Sequence, residues 1–325
     1  MKKYNYELLR IIACIGVIFH HVVNQPAFLY GAGDTSYLYI SNITCFAVPI
    51  FLMITGFVHL RPERKFDLWR TEKKVLIPLL SFGLLYAWLE VIFNTHRISA
   101  NGFAKAVLNF LQGASWSHMW YLYMIVGLYI FIPVLKSHLA NAEKNKIEFL
   151  LAILFVFNII IPTAKGYFNF TFGITIPIVA PYLFYCLLGY YLYKYSLSLR
   201  LSSALAFFGF ILLIVWTSVI KDKLHYYSIP LAVFSSALFA LFTALEKQCS
   251  HLNGKVLLYI SDKTFGIYIV HAIIINMIYK FFHFNPYQYN SPLCWLGVGA
   301  VTFAASLMGV VVIRKIPIIN KIFCV

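Results

Sequence analysis

The stretch YNYELLRIIACIGVIFHHVVN, residues 4–24, decides the fold because it predicts an apolar helix that carries ionisable side chains. Arg10 and His21 are eleven residues apart, so at about 100° per residue both project from one helix face, roughly 16 Å apart along the axis. His20 points about 80° away from that face. Glu7, three residues before Arg10, can pair with it near the membrane surface. A charge at the centre of a bilayer costs roughly 3 kcal/mol, so ionisable residues inside such a helix indicate a functional site.

The composition predicts an integral membrane protein. Of the 325 residues, 61% are hydrophobic and 11% are charged, whereas a soluble domain is roughly 25% charged. Apolar windows of about 20 residues, the length that crosses about 30 Å of hydrocarbon, predict about ten spans. They lie near residues 7–25, 37–59, 75–94, 119–136, 147–164, 176–194, 202–220, 228–245, 256–280 and 293–313. We therefore predict an all-α integral membrane bundle in one domain, residues 1–325, with a short interfacial helix between the third and fourth spans. The first span has no cleavage site after it, so we expect it to be retained.

The charge distribution predicts the orientation of the chain. Lysine and arginine number 26, against 11 aspartate and glutamate residues, and the net charge is +15. With the N-terminus inside, 20 of the 26 basic residues fall in cytoplasmic segments, which predicts that both termini are cytoplasmic. Because the charges lie between apolar runs, they indicate contact with anionic lipids and not with nucleic acid. The cysteines show no metal-site spacing, so we predict no metal.

Four stretches follow one another in the order of a known family. They are Glu7–Arg10 with His21 after ten further residues, then PIFLMITGF at 49–57, HMWYLYMIVGLYIFIP at 118–133 and FGIYIVH at 265–271. Together they resemble the acyltransferase-3 family of multi-pass bacterial enzymes that modify envelope glycans. The chain departs from the family pattern at Thr55, where serine is usual. The resemblance extends over nearly the whole sequence.

The resemblance implies an O-acyltransferase of the bacterial cytoplasmic membrane. Relatives transfer a short acyl group, most often acetyl, from cytosolic acyl-CoA to a hydroxyl of an envelope glycan or lipid-linked saccharide. We expect this chain to do so without the extracytoplasmic hydrolase-like domain that some relatives carry. The matching motifs make His118, Trp120, Tyr268 and His271 candidates on the substrate side. The alternative for each histidine is a structural role at a helix interface.

Acyl transfer to a hydroxyl requires a base or an acyl carrier, together with positive charge near the developing oxyanion. Histidine suits the first role because its ordinary pKa lies near neutrality. His21 is therefore the candidate base or transient acyl carrier, and the sequence leaves both roles open. Arg10, paired with Glu7, is the candidate that meets thioester or pyrophosphate oxygens at the cytoplasmic mouth of the site.

A basic cluster between the second and third spans is the candidate donor site. Its members are Arg61, Arg64, Arg70, Lys73 and Lys74. Arginine favours bidentate contacts with phosphate, and the acyl-CoA donor carries several phosphate charges. The alternative is contact with anionic lipid headgroups under the positive-inside rule. Thr71 and Glu72 interrupt the basic run that the family has here.

A different class of function remains open, because buried arginine and histidine with kinked helices also describe proton-coupled transporters. The sequence shows neither an inverted repeat nor a chain of intramembrane carboxylates. Both features are expected of a proton-coupled transporter, so their absence from the sequence weighs against that function. The acyl group, the acceptor and the oligomeric state are left open by the sequence.

Overall fold

The computed structural model describes residues 4–31, 35–170 and 181–316, and within these ranges every regular element is a helix. In chain order the helices are α1 (Tyr4–Tyr30), α2 (Ser36–His59), α3 (Leu68–Thr95), α4 (Ala100–Leu111), α5 (Ser117–Ala140), α6 (Lys144–Phe168), α7 (Pro181–Lys194), α8 (Leu199–Ile220), α9 (Ile229–Ala244), α10 (Glu246–Cys249), α11 (Gly254–Ser261), α12 (Thr264–Phe281) and α13 (Ser291–Ile313). A turn at Cys45 and Phe46 divides α2. A π-helical turn, Leu79–Gly83, interrupts α3.

Eight of these helices are long and apolar enough to cross a membrane, namely α1, α2, α3, α5, α6, α8, α12 and α13. The shorter apolar helix α9 covers the predicted eighth span. Helix α7 covers the described part of the sixth, whose residues 176–180 lie outside the described residues. The all-α membrane bundle is therefore confirmed, and the cytoplasmic location of both termini stays a prediction.

The loop between the third and fourth spans contains the predicted short helix, α4. Its hydrophobic residues recur at helical spacing, and the Ser99 side chain caps its first turn by accepting a hydrogen bond from the Gly102 backbone N–H at 3.0 Å. Ser99 and the amphipathic pattern are both local signals. This helix could therefore be predicted from its own residues.

The predicted ninth span, 256–280, was wrong at its start. Helix α11 ends at Ser261 and α12 begins at Thr264, with the charged residues Asp262 and Lys263 between them. The Thr264 hydroxyl donates to the Ser261 carbonyl at 2.8 Å, and the Lys263 ammonium donates to the Tyr259 carbonyl at 2.9 Å. These bonds satisfy the backbone groups that a break in a helix leaves open.

The described residues form two compact units. The first comprises residues 4–31, 35–64, 138–170 and 181–307, and the second comprises 65–137 and 308–316. In the first unit, α1 packs against α2, α9, α11 and α12. Its core-facing side chains include Leu9, Val22 and Val23, all fully buried. The single domain over residues 1–325 stays a prediction.

Helices α2 and α7 approach each other closely at two glycines. A Cβ on Gly56 would lie 1.7 Å from the Cys186 carbonyl oxygen, and a Cβ on Gly189 would lie 2.1 Å from the Met53 carbonyl oxygen. Small residues permit such backbone contact between membrane helices, where dispersion and not the hydrophobic effect holds the helices together. The crossing therefore excludes any side chain at either position.

We expect Gly56→Ala or Gly189→Ala to lower the stability of the purified protein by about 1–3 kcal/mol or more, because the helices must separate to admit a methyl group. Thermal unfolding in detergent measures the effect. Gly297→Ala on α13 is the matched control, since apart from its chain neighbours and the backbone of its own helix no described atom lies within 4 Å of the place its Cβ would take. An unchanged midpoint for Gly56→Ala would contradict the close crossing.

Candidate functional site

Histidines from α1 and α12 meet in the first unit. The ring centroids of His21 and His271 are 5.3 Å apart, and those of His21 and His20 are 5.7 Å apart. The Tyr268 ring lies 5.9 Å from that of His271. His271 is fully buried. The structure thus brings together three predicted site residues, His21, Tyr268 and His271, and adds His20.

The two histidines that flank His21 each have one ring nitrogen bound to a backbone carbonyl. Nδ1 of His271 lies 2.5 Å from the Tyr268 carbonyl oxygen, and Nδ1 of His20 lies 3.1 Å from the Ser41 carbonyl oxygen. A carbonyl oxygen only accepts, so Nδ1 carries the proton in both rings. In the neutral ring, Nε2 is then an acceptor.

Consecutive residues on a helix point about 100° apart, and His20 and His21 accordingly face different neighbours. His20 faces α2, where the Asn24 side chain reinforces the contact. The Asn24 amide donates to the Ser41 hydroxyl at 2.8 Å and to the His20 carbonyl at 2.7 Å. His21 faces α12 through His271. The sequence predicted the divergence of the two rings, but it gave no sign of the Ser41 and Asn24 bonds.

Glu7 and Arg10 form an ion pair in the first turns of α1. Glu7 Oε2 accepts a hydrogen bond from Arg10 Nη1 at 3.0 Å and a further bond from the Ser261 hydroxyl. Both charged side chains are half-buried, and Ser261 is buried. The pairing follows from the three-residue spacing. Ser261 could not be found from the sequence, because it reaches Glu7 only where α11 ends.

Arg61 is enclosed by aromatic rings of the first unit. Its guanidinium carbon lies 4.7 Å from the Phe57 ring centroid and 5.4 Å from that of Tyr193, and Nη1 lies 3.5 Å from Glu63 Oε1. Only 14% of its side chain is exposed. Arg64 is exposed on the same segment. Arg61 therefore has structural neighbours that the basic-cluster pattern did not reveal.

The remaining donor candidates belong to the second unit, where Arg70, Lys73 and Lys74 are exposed on the first turns of α3. Asp67 caps this helix by accepting a hydrogen bond from the Arg70 backbone N–H at 2.9 Å. The Lys73 ammonium lies 5.1 Å from the centroid of the Trp69 ring. These cations thus lie at a helix start, with their side chains open to solvent or headgroups.

The candidates His118 and Trp120 also lie in the second unit, at the start of α5. His118 is buried with its ring centroid 5.4 Å from that of Tyr86. Tyr86 in turn stacks on Trp116 at 4.5 Å, and the Trp116 indole donates to Glu90 at 2.9 Å. His118 is therefore part of an aromatic cluster, and its substrate-side role stays a prediction.

The sequence was compared with models of known protein families, and one of them matches nearly the whole chain. The sequence model described as "Acyltransferase domain" matches residues 3–311. The chain is similar to proteins of Staphylococcus aureus strains MSSA476 and MW2, each 24% identical over 309 residues that cover 86% of this chain and 85% of the relative. These relatives carry the name "Probable poly-beta-1,6-N-acetyl-D-glucosamine export protein". No solved structure matches the chain.

The enclosure of Arg61 predicts that its substitution acts on stability. We expect Arg61→Ala to lower the free energy of unfolding by about 1–2 kcal/mol, because a partly desolvated cation–π contact and the packing of the side-chain stem are lost. Arg64→Ala, three residues along the segment, should change it by less than about 0.5 kcal/mol. Thermal unfolding of the purified proteins compares the two. Equal stability of both variants would show that the aromatic contacts of Arg61 contribute nothing.

Proposed function

This chain belongs to the acyltransferase family whose model matches residues 3–311, and from that premise we propose that it transfers a short acyl group from cytosolic acyl-CoA to a hydroxyl of an envelope glycan or lipid-linked saccharide. Acetyl is the proposed group, and the bacterial cytoplasmic membrane is the proposed location. The observation that carries the proposal is the contact between His21 and His271, whose ring centroids are 5.3 Å apart. Two imidazoles so close together support the proposal that one of them takes the proton of an acceptor hydroxyl.

In the proposed reaction His21 acts as a base or as an acyl carrier. As a base, it takes the acceptor hydroxyl proton while the hydroxyl oxygen attacks the thioester carbonyl carbon. The carbon–sulfur bond then breaks, and the CoA thiolate receives the proton. As a carrier, His21 itself attacks the thioester carbonyl carbon, the carbon–sulfur bond breaks, and CoA leaves as the thiol with the proton that the imidazole gives up. The acceptor hydroxyl then attacks the acyl-imidazole, the carbon–nitrogen bond breaks, and the hydroxyl proton returns to the His21 ring. His271 supports either course, because its Nδ1 is committed to the Tyr268 carbonyl and its Nε2 can exchange a proton.

Arg10 is proposed to stabilise negative charge on the donor. Its guanidinium is held by Glu7, which is held in turn by Ser261 on another helix. A hydrogen-bond donor whose position is fixed before the reaction stabilises developing negative charge without reorganising during the reaction. With the N-terminus inside, Arg10 lies toward the cytoplasmic end of α1, which is the side from which acyl-CoA arrives.

For the phosphates of acyl-CoA we propose the basic cluster Arg61, Arg64, Arg70, Lys73 and Lys74. Within this cluster the exposed cations are better suited than Arg61, whose guanidinium already packs on two rings. Arg70 can offer a bidentate contact, whereas lysine offers a point charge. Anionic lipid headgroups are proposed as competing partners of the same side chains.

The name of the staphylococcal relatives favours a second candidate, which is export of a saccharide. In that case the imidazoles of His21 and His271 would form part of a proton path coupled to transport. Both candidates use proton exchange at the same histidines. They differ in whether a thioester is consumed.

The first test compares His21 with its neighbour. We expect His21→Ala to lower acyl transfer by at least about 100-fold, because the base or carrier is lost. We expect His20→Ala to lower it by less than about tenfold, since one hydrogen bond to the Ser41 carbonyl is removed, worth about 1 kcal/mol. The measurement is incorporation of radiolabelled acetyl from acetyl-CoA into the saccharide fraction of membrane vesicles containing equal amounts of folded protein. Equal losses of activity in both variants would contradict the assignment of His21 as the base or acyl carrier.

The donor site is tested by calorimetric titration of acetyl-CoA into the detergent-purified protein. We expect Arg70→Ala to weaken binding by about 10- to 100-fold, the effect of losing a charge-assisted contact of about 1.5–3 kcal/mol. Arg200→Ala is the control, because Arg200 is also exposed, at the start of α8 and outside the cluster. If the folded protein binds no short acyl-CoA, acyl transfer is excluded and export becomes the better candidate.

A further inference from the structure

The segment 221–228, between α8 and α9, is fixed in place by the buried side chain of Asn42 on α2. The Asn42 amide nitrogen donates to the Thr217 hydroxyl at 3.1 Å and to the Asp222 carbonyl at 3.0 Å. Its amide oxygen accepts from the Leu224 backbone N–H at 2.8 Å. A buried amide with both ends bonded holds the segment firmly against α2.

Two tyrosines on other helices also bind the backbone of this segment. The Tyr167 hydroxyl on α6 accepts from the His225 backbone N–H at 3.1 Å and donates to the Lys223 carbonyl at 3.1 Å. The Tyr185 hydroxyl on α7 donates to the Tyr226 carbonyl at 2.7 Å. Side chains from three helices therefore bind the backbone of segment 221–228. The backbone of the segment is fixed as a result.

Helix α2 relates this segment to the histidines. Tyr37 and Ser41 are four residues apart and lie on one face of the helix, one turn from each other. The Lys223 ammonium lies 5.6 Å from the centroid of the Tyr37 ring, and the Ser41 carbonyl binds His20 at 3.1 Å. Lys223 and His20 therefore both contact α2, at residues that are four positions apart.

The surroundings of Lys223 favour an anionic partner. Lys223 is exposed, so a ligand can reach its ammonium. Neighbouring protein atoms still remove part of its hydration and lower the pKa of Lys223, and the Asp222 carboxylate only partly offsets this shift. Asp222 Oδ1 accepts a hydrogen bond from the backbone N–H of Lys223 itself at 2.7 Å. An anionic group that reaches the ammonium would restore the stabilisation that desolvation removes.

Aromatic rings complete the surroundings of the segment. The Tyr226 ring lies 6.3 Å from that of Tyr182, and the Tyr268 ring lies 5.9 Å from that of His271. All three tyrosines are half-buried. A tyrosine offers an apolar ring face and a polar hydroxyl. This combination suits a sugar ring, which also has an apolar face and hydroxyls at its edge.

We propose that segment 221–228 recognises the acceptor and that Lys223 selects a saccharide carrying an acidic group near the hydroxyl to be acylated. This inference rests on the proposed acyl transfer to a saccharide and names the class of acceptor. Tyr226 and Tyr268 contact the sugar ring, and the Lys223 ammonium contacts the acidic group. Lys223 is a specificity residue, and the proton of the hydroxyl goes to His21. The acidic group is a uronate or a phosphate, and the two are distinguished by experiment.

The test measures saccharide binding to the detergent-purified full chain, independently of catalysis. The probes are a galacturonic acid trisaccharide, N-acetylglucosamine 1-phosphate and a neutral N-acetylglucosamine trisaccharide. We expect the wild type to bind one acidic probe at least about tenfold more tightly than the neutral one, as a charge-assisted contact implies. The stronger acidic probe identifies uronate or phosphate. A wild type that binds no probe, or that prefers the neutral one, overturns the inference.

Substitutions at Lys223 then test whether this residue causes the preference for an acidic saccharide. Lys223→Gln should remove the preference for the acidic probe, with the affinity for the neutral probe and for acetyl-CoA unchanged, whereas Lys223→Arg should keep it. Lys221→Gln is the matched control, because Lys221 is an exposed cation of the same segment. Equal behaviour of Lys223→Gln and Lys221→Gln overturns the assignment. Lys223-dependent binding without acetyl transfer from acetyl-CoA contradicts the proposed function and leaves the recognition site standing, so the two failures are distinct.

Discussion

Polar side chains inside an apolar helix must be bonded, and this constraint on α1 determines how its neighbours are arranged. An unsatisfied polar group in hydrocarbon costs several kcal/mol. Glu7 accepts from Ser261 on α11, and His20 binds Ser41 on α2. His21 lies against His271 on α12. Since these partners come from three helices around α1, together they fix both its rotation and its depth in the bundle.

The polar side chains of α1 form two chemically different groups, one near the start of the helix and one further along it. Near its start the charged groups Glu7 and Arg10 form a pair that keeps both half-exposed. About three to four turns further on, the polar groups are imidazoles, which can be neutral and so are less costly in an apolar interior. Helix α2, whose Ser41 carbonyl binds His20, also carries Tyr37, and the Lys223 ammonium lies over the Tyr37 ring. An end with an ion pair, a centre with imidazoles and an aromatic end that includes Lys223 therefore follow one another within the first unit.

Features that depend on neighbouring residues in the sequence were predictable, and features that depend on tertiary partners were not. Hydropathy located the spans, and the spacing of Glu7, Arg10 and His21 gave the ion pair and the helix face. The break between α11 and α12 was missed, because the two charged residues there lie inside an apolar window and are stabilised by bonds that only the folded chain makes. Arg61 was assigned by residue type, but its partner Tyr193 lies more than a hundred residues away.

The histidine cluster by itself does not distinguish acyl transfer from proton-coupled export. Nδ1 of His20 and of His271 each bind a backbone carbonyl, so the two flanking rings have fixed orientations on either side of His21. Fixed neighbours of this kind assist proton transfer to and from the central ring in either reaction. The distinction must therefore come from the groups that bind the reactants. A transporter carries one ligand past the histidines, whereas an acyltransferase needs a donor site and an acceptor site that are both occupied while the histidine acts.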